Sequence, residues 1–334
     1  MDFMLNIEWP KGEALIDHRQ KILSIGSCFT EHIGNALKEL KFDVLQNPNG
    51  ILFDPVSVCN SLVSYIRNEA YTEKNLFFLN ELWHSWHHHS HFSGTDAHDV
   101  LKKINASRQA AHDFLKEGNW LILTLGSSFS YRLSGTAAAG SPELAGTGVA
   151  NCHRAPAQWF QKHLLTIDET ISKLDNALHQ LFRFNPKLQV IFTISPVRHI
   201  RDGVVENNRS KARLLEAVHH LVNKFDKLYY FPAYELVIDV LRDYRFYDID
   251  LVHPNYAATQ FVLEHFLKAH TSDETAALIE ELKKVRTARK HRSQHPRTAA
   301  HNAFLKVHLQ KARQLQEKHP YLNFQEEIVY FTNG

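Results

Sequence analysis

The chain has 334 residues, 44% hydrophobic and 22% charged, with 38 Lys and Arg against 36 Asp and Glu. That length, without a Gly/Ser linker or a repeat, fits one large α/β core with an extension better than two equal domains. A cleavable leader and an apolar run of roughly 20 residues are not evident, and Cys28, Cys59 and Cys152 do not make a disulfide framework, so the expectation is a soluble, cytoplasmic chain with no membrane association.

The first strand-like run, Ile22 to Ser27, passes through Gly26-Ser27-Cys28 into the helical pattern of CFTEHIGNAL. Further apolar runs follow at Phe42–Gln46, Leu121–Leu125, Leu188–Ser195 and Leu228–Phe231. Their alternation with helical or loop-like stretches predicts a parallel sheet covered by helices on both faces. The Gly/Ala/Ser-rich stretch SGTAAAGSPELAGTGVANCH, residues 134 to 153, reads as a hairpin or long loop. In NNRSKARLLEAVHHLVNKF, the residues Leu214, Leu215, Val218, Leu221, Val222 and Phe225 share one helical face, with Asn208 placed to cap its start. Asn255 opens a last core helix through Phe261, Leu263 and Phe266, which closes the core near residue 270. From Lys283 to Lys318 there are eleven basic residues and a single acid, Glu317. Helical apolar spacing within that tail predicts packing through Phe304, Leu305 and Leu309, with Lys and Arg left to solvent or to the acidic body.

In an open parallel sheet, ligands bind beyond the carboxyl ends of the strands, which directs attention to the residues after each run. Cys28 would sit at the first turn of a helix, where unpaired N–H groups and the dipole favour a thiolate and an oxyanion. Ser27 beside it is either a second nucleophile candidate or the cap that shapes the turn. Asp250 lies three residues before His253, a spacing that lets a carboxylate accept the Nδ1–H of the imidazole and leave Nε2 as a general base. A thiol so placed beside an imidazole is expected to ionise near neutral pH. His153, Arg198 and His199 fall on strand-end loops suited to holding a substrate anion or hydroxyl. In WHSWHHHSHF, residues 83 to 92, the residues His87, His89 and His91 alternate as they would on one side of a strand, an arrangement zinc could use. No acidic or cysteine partner stands near at ligand spacing. The run is therefore read as an aromatic loop, with His89 as a substrate-binding residue and no metal or other cofactor.

The stretch Gly26-Ser27-Cys28-Phe29-Thr30 resembles the signature of the GSCFA family, placed among the SGNH, or GDSL-like, hydrolases. NPNGILFDPVSV (47 to 58), HSHFS (89 to 93), LTLGSS (123 to 128), VANCHRAP (149 to 156), SPVRH (195 to 199), FPAYEL (231 to 236) and DLVHPN (250 to 255) are similar to that family as well. The resemblance covers roughly residues 20 to 265. It implies a three-layer α/β/α fold with a flavodoxin-like parallel sheet, plus a C-terminal helical extension, with a hydrolase-like domain over 1–270 and a basic extension over 271–334. It implies hydrolysis or transfer of an O-acyl ester, on a small molecule or a carbohydrate, with Cys28 or Ser27 as nucleophile and Asp250 and His253 as its partners. Gly50 stands where the superfamily has its oxyanion glycine. Gly126-Ser127-Ser128-Phe129 stands in place of a Gly-x-Asn-Asp block, which leaves the Ser127 hydroxyl or Asn151 to supply the missing donor. The other reading is a catalytically degenerate domain that binds a ligand or partner. Nucleic acid is not the expected partner, and the oligomeric state is left open.

Overall fold

Buried on both faces, a strand needs a nearly unbroken apolar run, and five such runs become one sheet here. The strands in chain order are β1 (Lys21–Gly26), β2 (Asp43–Gln46), β3 (Phe77–Leu79), β4 (Leu82–His84), β5 (Trp120–Leu125), β6 (Phe129–Leu133), β7 (Gly148–Val149), β8 (Phe160–Leu164), β9 (Gln189–Ile194) and β10 (Leu228–Tyr230). The helices are α1 (Cys28–Glu39), α2 (Pro55–Arg67), α3 (Ala97–Glu117), α4 (Ile167–Phe184), α5 (Val204–Lys224), the short α6 (Ala233–Glu235), α7 (Tyr256–His270), α8 (Asp273–Lys290), α9 (Ala299–Lys318) and α10 (Gln325–Asn333). The computed structural model describes residues 4–7, 11–12, 14–136, 144–296 and 298–333.

The main sheet has the order β10-β9-β5-β1-β2. β1, β5 and β9 are parallel neighbours, with Gly26 opposite Thr124 and Thr124 opposite Thr193, as the sequence predicts. Taken in chain order, the five strands follow the flavodoxin-like arrangement, whose order reverses between β1 and β5. One face packs Leu23, Ile25, Leu121, Leu123, Val190 and Phe192 against Leu62 of α2, Leu115 of α3, Leu178 of α4 and Leu214 of α5. The core is therefore layered around the sheet, and the carboxyl ends of β1 and β5 meet at the topological switch.

Local signals placed most helix starts. Asp54 caps α2 by accepting from the Val56 and Ser57 amides at 3.0 and 3.1 Å, and Thr166 with Glu169 forms a capping box on α4. Asn255 caps α7 through the Ala258 amide, as expected. Asn208 does not cap α5. That helix begins at Val204, after Gly203 at φ 88°, and Asn208 lies inside it. The Gly/Ala/Ser-rich stretch does form a hairpin where it is described, because β7 pairs antiparallel with β6. Residues 137–143 of it lie outside the described residues. β8 joins the other edge of β6, making a small antiparallel sheet that apolar runs did not announce. The histidine run is not a strand beyond His84. It turns through a 3-10 helix at Ser90–Phe92, so the expected alternation on one face does not hold.

Contacts divide the chain into two compact units, one comprising 4–7, 21–34 and 44–264 among its described residues, the other 11–12, 14–20, 35–43 and 265–333. In the second unit, α8, α9 and α10 share their own apolar cluster, in which Leu305, Ala312 and Leu315 meet Leu282, Val285 and Phe331 while Phe304 and Leu309 pack alongside. Its cations are partly paired, Arg286 and Lys290 with Glu39 and Arg289 with Glu326. Among the described residues no helix is long and apolar enough to cross a membrane.

Candidate active site

The turn from β1 into α1 is held by close backbone approach. A Cβ on Gly26 would lie 2.6 Å from Thr30 Oγ1 and would also strike the Thr124 carbonyl, so only glycine fits there. The Gly26 amide donates to Asn47 Oδ1 at 2.9 Å, and the Asn47 amide donates to the Ser24 carbonyl at 2.8 Å, which ties the loop after β2 to the end of β1. Ser27 is buried, and its hydroxyl has no hydrogen-bond partner among the described residues. It therefore does not cap α1. Its carbonyl accepts from the Thr30 amide at 2.9 Å instead.

Cys28 follows as the first residue of α1, half-buried. Burial pushes its thiol above the ordinary value, against the N–H groups of Phe29 and of Cys28 itself and the charge of Lys211, which all favour the thiolate, while Glu31 opposes it. The near-neutral ionisation expected from the helix terminus is thus outweighed by desolvation. A free-standing dipole argument leaves that out.

Asp250 and His253 form the pair their spacing predicts. His253 Nδ1 lies 2.6 Å from Asp250 Oδ2, and Asp250 Oδ1 accepts from the Val252 and His253 amides at 2.9 and 3.0 Å. The His253 amide and its imidazole, followed by the Val252 amide, hold the carboxyl down at about 2. Leu251, at φ 57°, makes the tight loop possible, and the Arg198 amide donates to the Val252 carbonyl at 3.2 Å, fastening this loop to the one after β9. Arg198 itself lies over the Tyr247 ring, 4.3 Å from its centroid. His199, next along, is drawn into the strand-end cluster: a Cβ on Gly126 would meet His199 Nε2 at 3.1 Å, and that nitrogen is buried without a partner among the described residues. Burial first, then the Lys211 charge and His253, lower His199 to about 4.

The expected oxyanion donors are already engaged. The Gly50 amide, at φ 79°, donates to the Asn47 carbonyl at 2.7 Å, and the Gly126 and Ser127 amides both donate to the Phe53 carbonyl, at 2.8 and 3.0 Å. The Ser127 hydroxyl lies 3.1 Å from Ser210 Oγ, and Asn151 Oδ1 accepts from the His153 amide at 2.8 Å. His153 Nε2 lies 2.9 Å from the Ser85 carbonyl, and its ring packs beside His84, 4.6 Å between centroids. His89 Nδ1 stands 3.2 Å from His91 Nδ1, and both rings abut Gly50. Among the described residues, no three His, Cys, Asp or Glu side chains gather in an arrangement that could hold a metal ion.

One residue of this neighbourhood was not singled out from the sequence. Lys211 of α5 is fully buried, and its Nζ donates to the carbonyls of Gly126 and Ser195 at 2.5 and 2.6 Å. Its charge acts on both Cys28 and His199. The signal was present: residues 207, 210, 211, 214, 218 and 221 form the buried stripe of α5, so a lysine at 211 stands on an apolar face. A cleft of about 440 Å³ opens beside Asn49, with Ser57, Asn60, Ser61, Tyr71 and Asn176 in its walls.

The model of the GSCFA family matches residues 21–266, and that of the GSCFA domain protein, C-terminal domain, matches residues 282–334. No curated protein matches the chain. Solved structures similar to it include a carbohydrate esterase family 3 protein from Talaromyces cellulolyticus, at 11% identity and a TM-score of 0.35, covering 79% of this chain and 99% of that one. Another is a Clostridium thermocellum family 3 carbohydrate esterase, at 10% identity and a TM-score of 0.33, covering 79% and 98%.

Proposed function

The chain belongs to the GSCFA family, and from that premise we propose that it cleaves or transfers an acyl group of an O-acyl ester through Cys28. The observation that carries this reading is the Asp250–His253 pair at 2.6 Å, fastened by the Arg198–Val252 backbone bond to the loop of His199, which follows β9 as Cys28 follows β1. His253 Nε2 takes the thiol proton, and the electron pair left on sulfur attacks the ester carbonyl. A C–S bond forms as the carbonyl π pair moves to oxygen. The amide of Cys28, at the helix terminus, faces the developing oxyanion, and the Gly50 amide joins it by exchanging its bond to Asn47. Collapse expels the alkoxide, which recovers the proton from His253, and water or an acceptor hydroxyl then releases the acyl group from sulfur.

The amide and hydroxyl side chains of the cleft beside Asn49 suit a polyhydroxylated substrate, which favours a carbohydrate-like ester over a purely apolar one. The test is intact mass after incubation with an activated acetyl ester, on the wild-type chain and on Cys28→Ala, Ser27→Ala and His253→Ala. One acetyl adduct is expected on the wild type and on Ser27→Ala, with none on Cys28→Ala and slowed formation on His253→Ala. If the adduct survives Cys28→Ala and vanishes in Ser27→Ala, the nucleophile is Ser27. Absence of any adduct on the wild type, with each ester tried, favours a binding domain, a reading supported by the engaged amides of Gly50, Gly126 and Ser127.

A further inference from the structure

Lys211 is an expensive residue to bury, and its surroundings do not neutralise it with a carboxylate. A lysine ammonium removed from water loses several kcal/mol of hydration unless it finds opposite charge or a full set of acceptors. Among the described residues its two acceptors are neutral carbonyls at the ends of adjacent strands, Gly126 after β5 and Ser195 after β9. The Tyr234 ring of α6 adds a weaker contact, 5.9 Å from Nζ to the centroid. Those bonds use two of the three hydrogens of an ammonium and leave one direction of the nitrogen uncommitted.

The sheet register says what lies on the neighbouring strand. Gly26 of β1 is paired with Thr124 of β5, and the Ser27 amide donates to the Thr124 carbonyl at 3.3 Å. Cys28, at the start of α1, and Gly126, just past β5, each lie two residues beyond that pair, at the ends of neighbouring strands spaced by about 5 Å. Lys211, bound to the Gly126 carbonyl, is thereby brought beside the first turn of α1. The groups that face it are Cys28 from α1, His199 from the loop after β9 and the Tyr234 ring; Glu31 and His253 act at one remove, on Cys28 and His199.

We propose that Lys211 is a positioning residue whose buried ammonium, fixed between the ends of β5 and β9, is the counter-charge of the Cys28 thiolate. When the S–H bond breaks, the proton leaves to His253 or to water and the electron pair stays on sulfur. The site then holds a thiolate and an ammonium in place of a thiol and an isolated buried cation. Burial lowers Lys211 to about 7 even with the thiolate pulling it up, so each charge favours the other against a desolvation that opposes both. Burial first, and after it the same ammonium, keeps His199 neutral, which separates it from the acid–base role given to His253. The inference rests on Cys28 as the reacting thiol, and both measurements below are made without an ester, so a failure to acylate leaves them interpretable.

The experiment is the pH dependence of iodoacetamide labelling at Cys28, followed by peptide mass, in the wild type and in Lys211→Met. The thiolate titration is expected to move up in Lys211→Met, with labelling near neutral pH slower by about tenfold. An unchanged profile in a folded variant would overturn the proposal. Because Lys211→Met also removes two hydrogen bonds, the reciprocal measurement leaves Lys211 in place: the ¹³Cε titration of its side chain is followed by NMR in the wild type and in Cys28→Ala. Loss of the thiolate should lower the lysine titration, and an identical titration in both would refute the pairing regardless of how Lys211→Met folds.

Discussion

At the scale of single residues, the candidate site is shaped as much by what cannot change as by the groups proposed to react. Gly26 is the sharpest case, since any Cβ there meets Thr30 Oγ1 at 2.6 Å and the backbone of Thr124 beyond it. Gly26→Ala is expected to cost about 1–3 kcal/mol, because a strand backbone, unlike a flexible side chain, gives little. Urea denaturation of the variant checks this, and an unchanged midpoint would mean that the turn yields more easily than its packing implies. The Asp250–His253 pair and the place of Cys28 at the start of α1 were legible in the sequence because both depend on local spacing. Lys211 was less so, because a charged residue within an amphipathic helix ordinarily faces water. The engagement of the expected donors was not legible for another reason: which partner an amide takes is decided by loops distant in sequence, such as the Phe53 carbonyl that receives both Gly126 and Ser127.

At the scale of elements, apolar runs announced all five strands of the main sheet, since a strand buried on both faces leaves no other pattern. The sheet of β6, β7 and β8 was only half visible, for its strands mix exposed polar residues with few buried ones, as the exposed Gln161 and Lys162 of β8 illustrate. The start of α5 was displaced by five residues for a related cause. Asn208 has the chemistry of a cap, yet the chain turns earlier, at Gly203, whose φ of 88° suits glycine and which starts α5 without a side-chain cap. Two substitutions separate these roles. Gly203→Ala should destabilise by about 1–2 kcal/mol through its backbone conformation alone, since nothing lies within 4 Å of a Cβ there. Asn208→Ala, which loses a single contact from the Asn207 side chain at 3.1 Å, should stay within about 0.5 kcal/mol of wild type. Thermal melts of the pair decide it, and a larger loss at Asn208 would restore that residue as the functional cap.

At the scale of the whole molecule, the abundance of histidine becomes a property of stability. The sequence showed 23 histidines but could not show which lose their water on folding. Among those in the larger unit that do, burial lowers His88 to about 3 and His153 and His199 to about 4, from the ordinary 6.5 of a free imidazole. Between those values the unfolded chain binds protons that the folded chain refuses, so stability conferred by the neutral rings is present above about pH 6.5 and is lost as pH falls toward 4. Asp54 works in the opposite sense. Its carboxyl is raised to about 6 by burial, so the folded chain binds a proton there first and gains stability on acidification from about 6 to 3.8. Three groups displaced by about two units or more outweigh one displaced similarly, and the net loss between about pH 7 and pH 4.5 should be on the order of several kcal/mol. The measurement is the urea midpoint at about pH 7.5, 6 and 5. A midpoint that falls steadily with pH is the expected result; one that holds constant or rises would mean that the rings of His88, His153 and His199 take up their protons without leaving the fold.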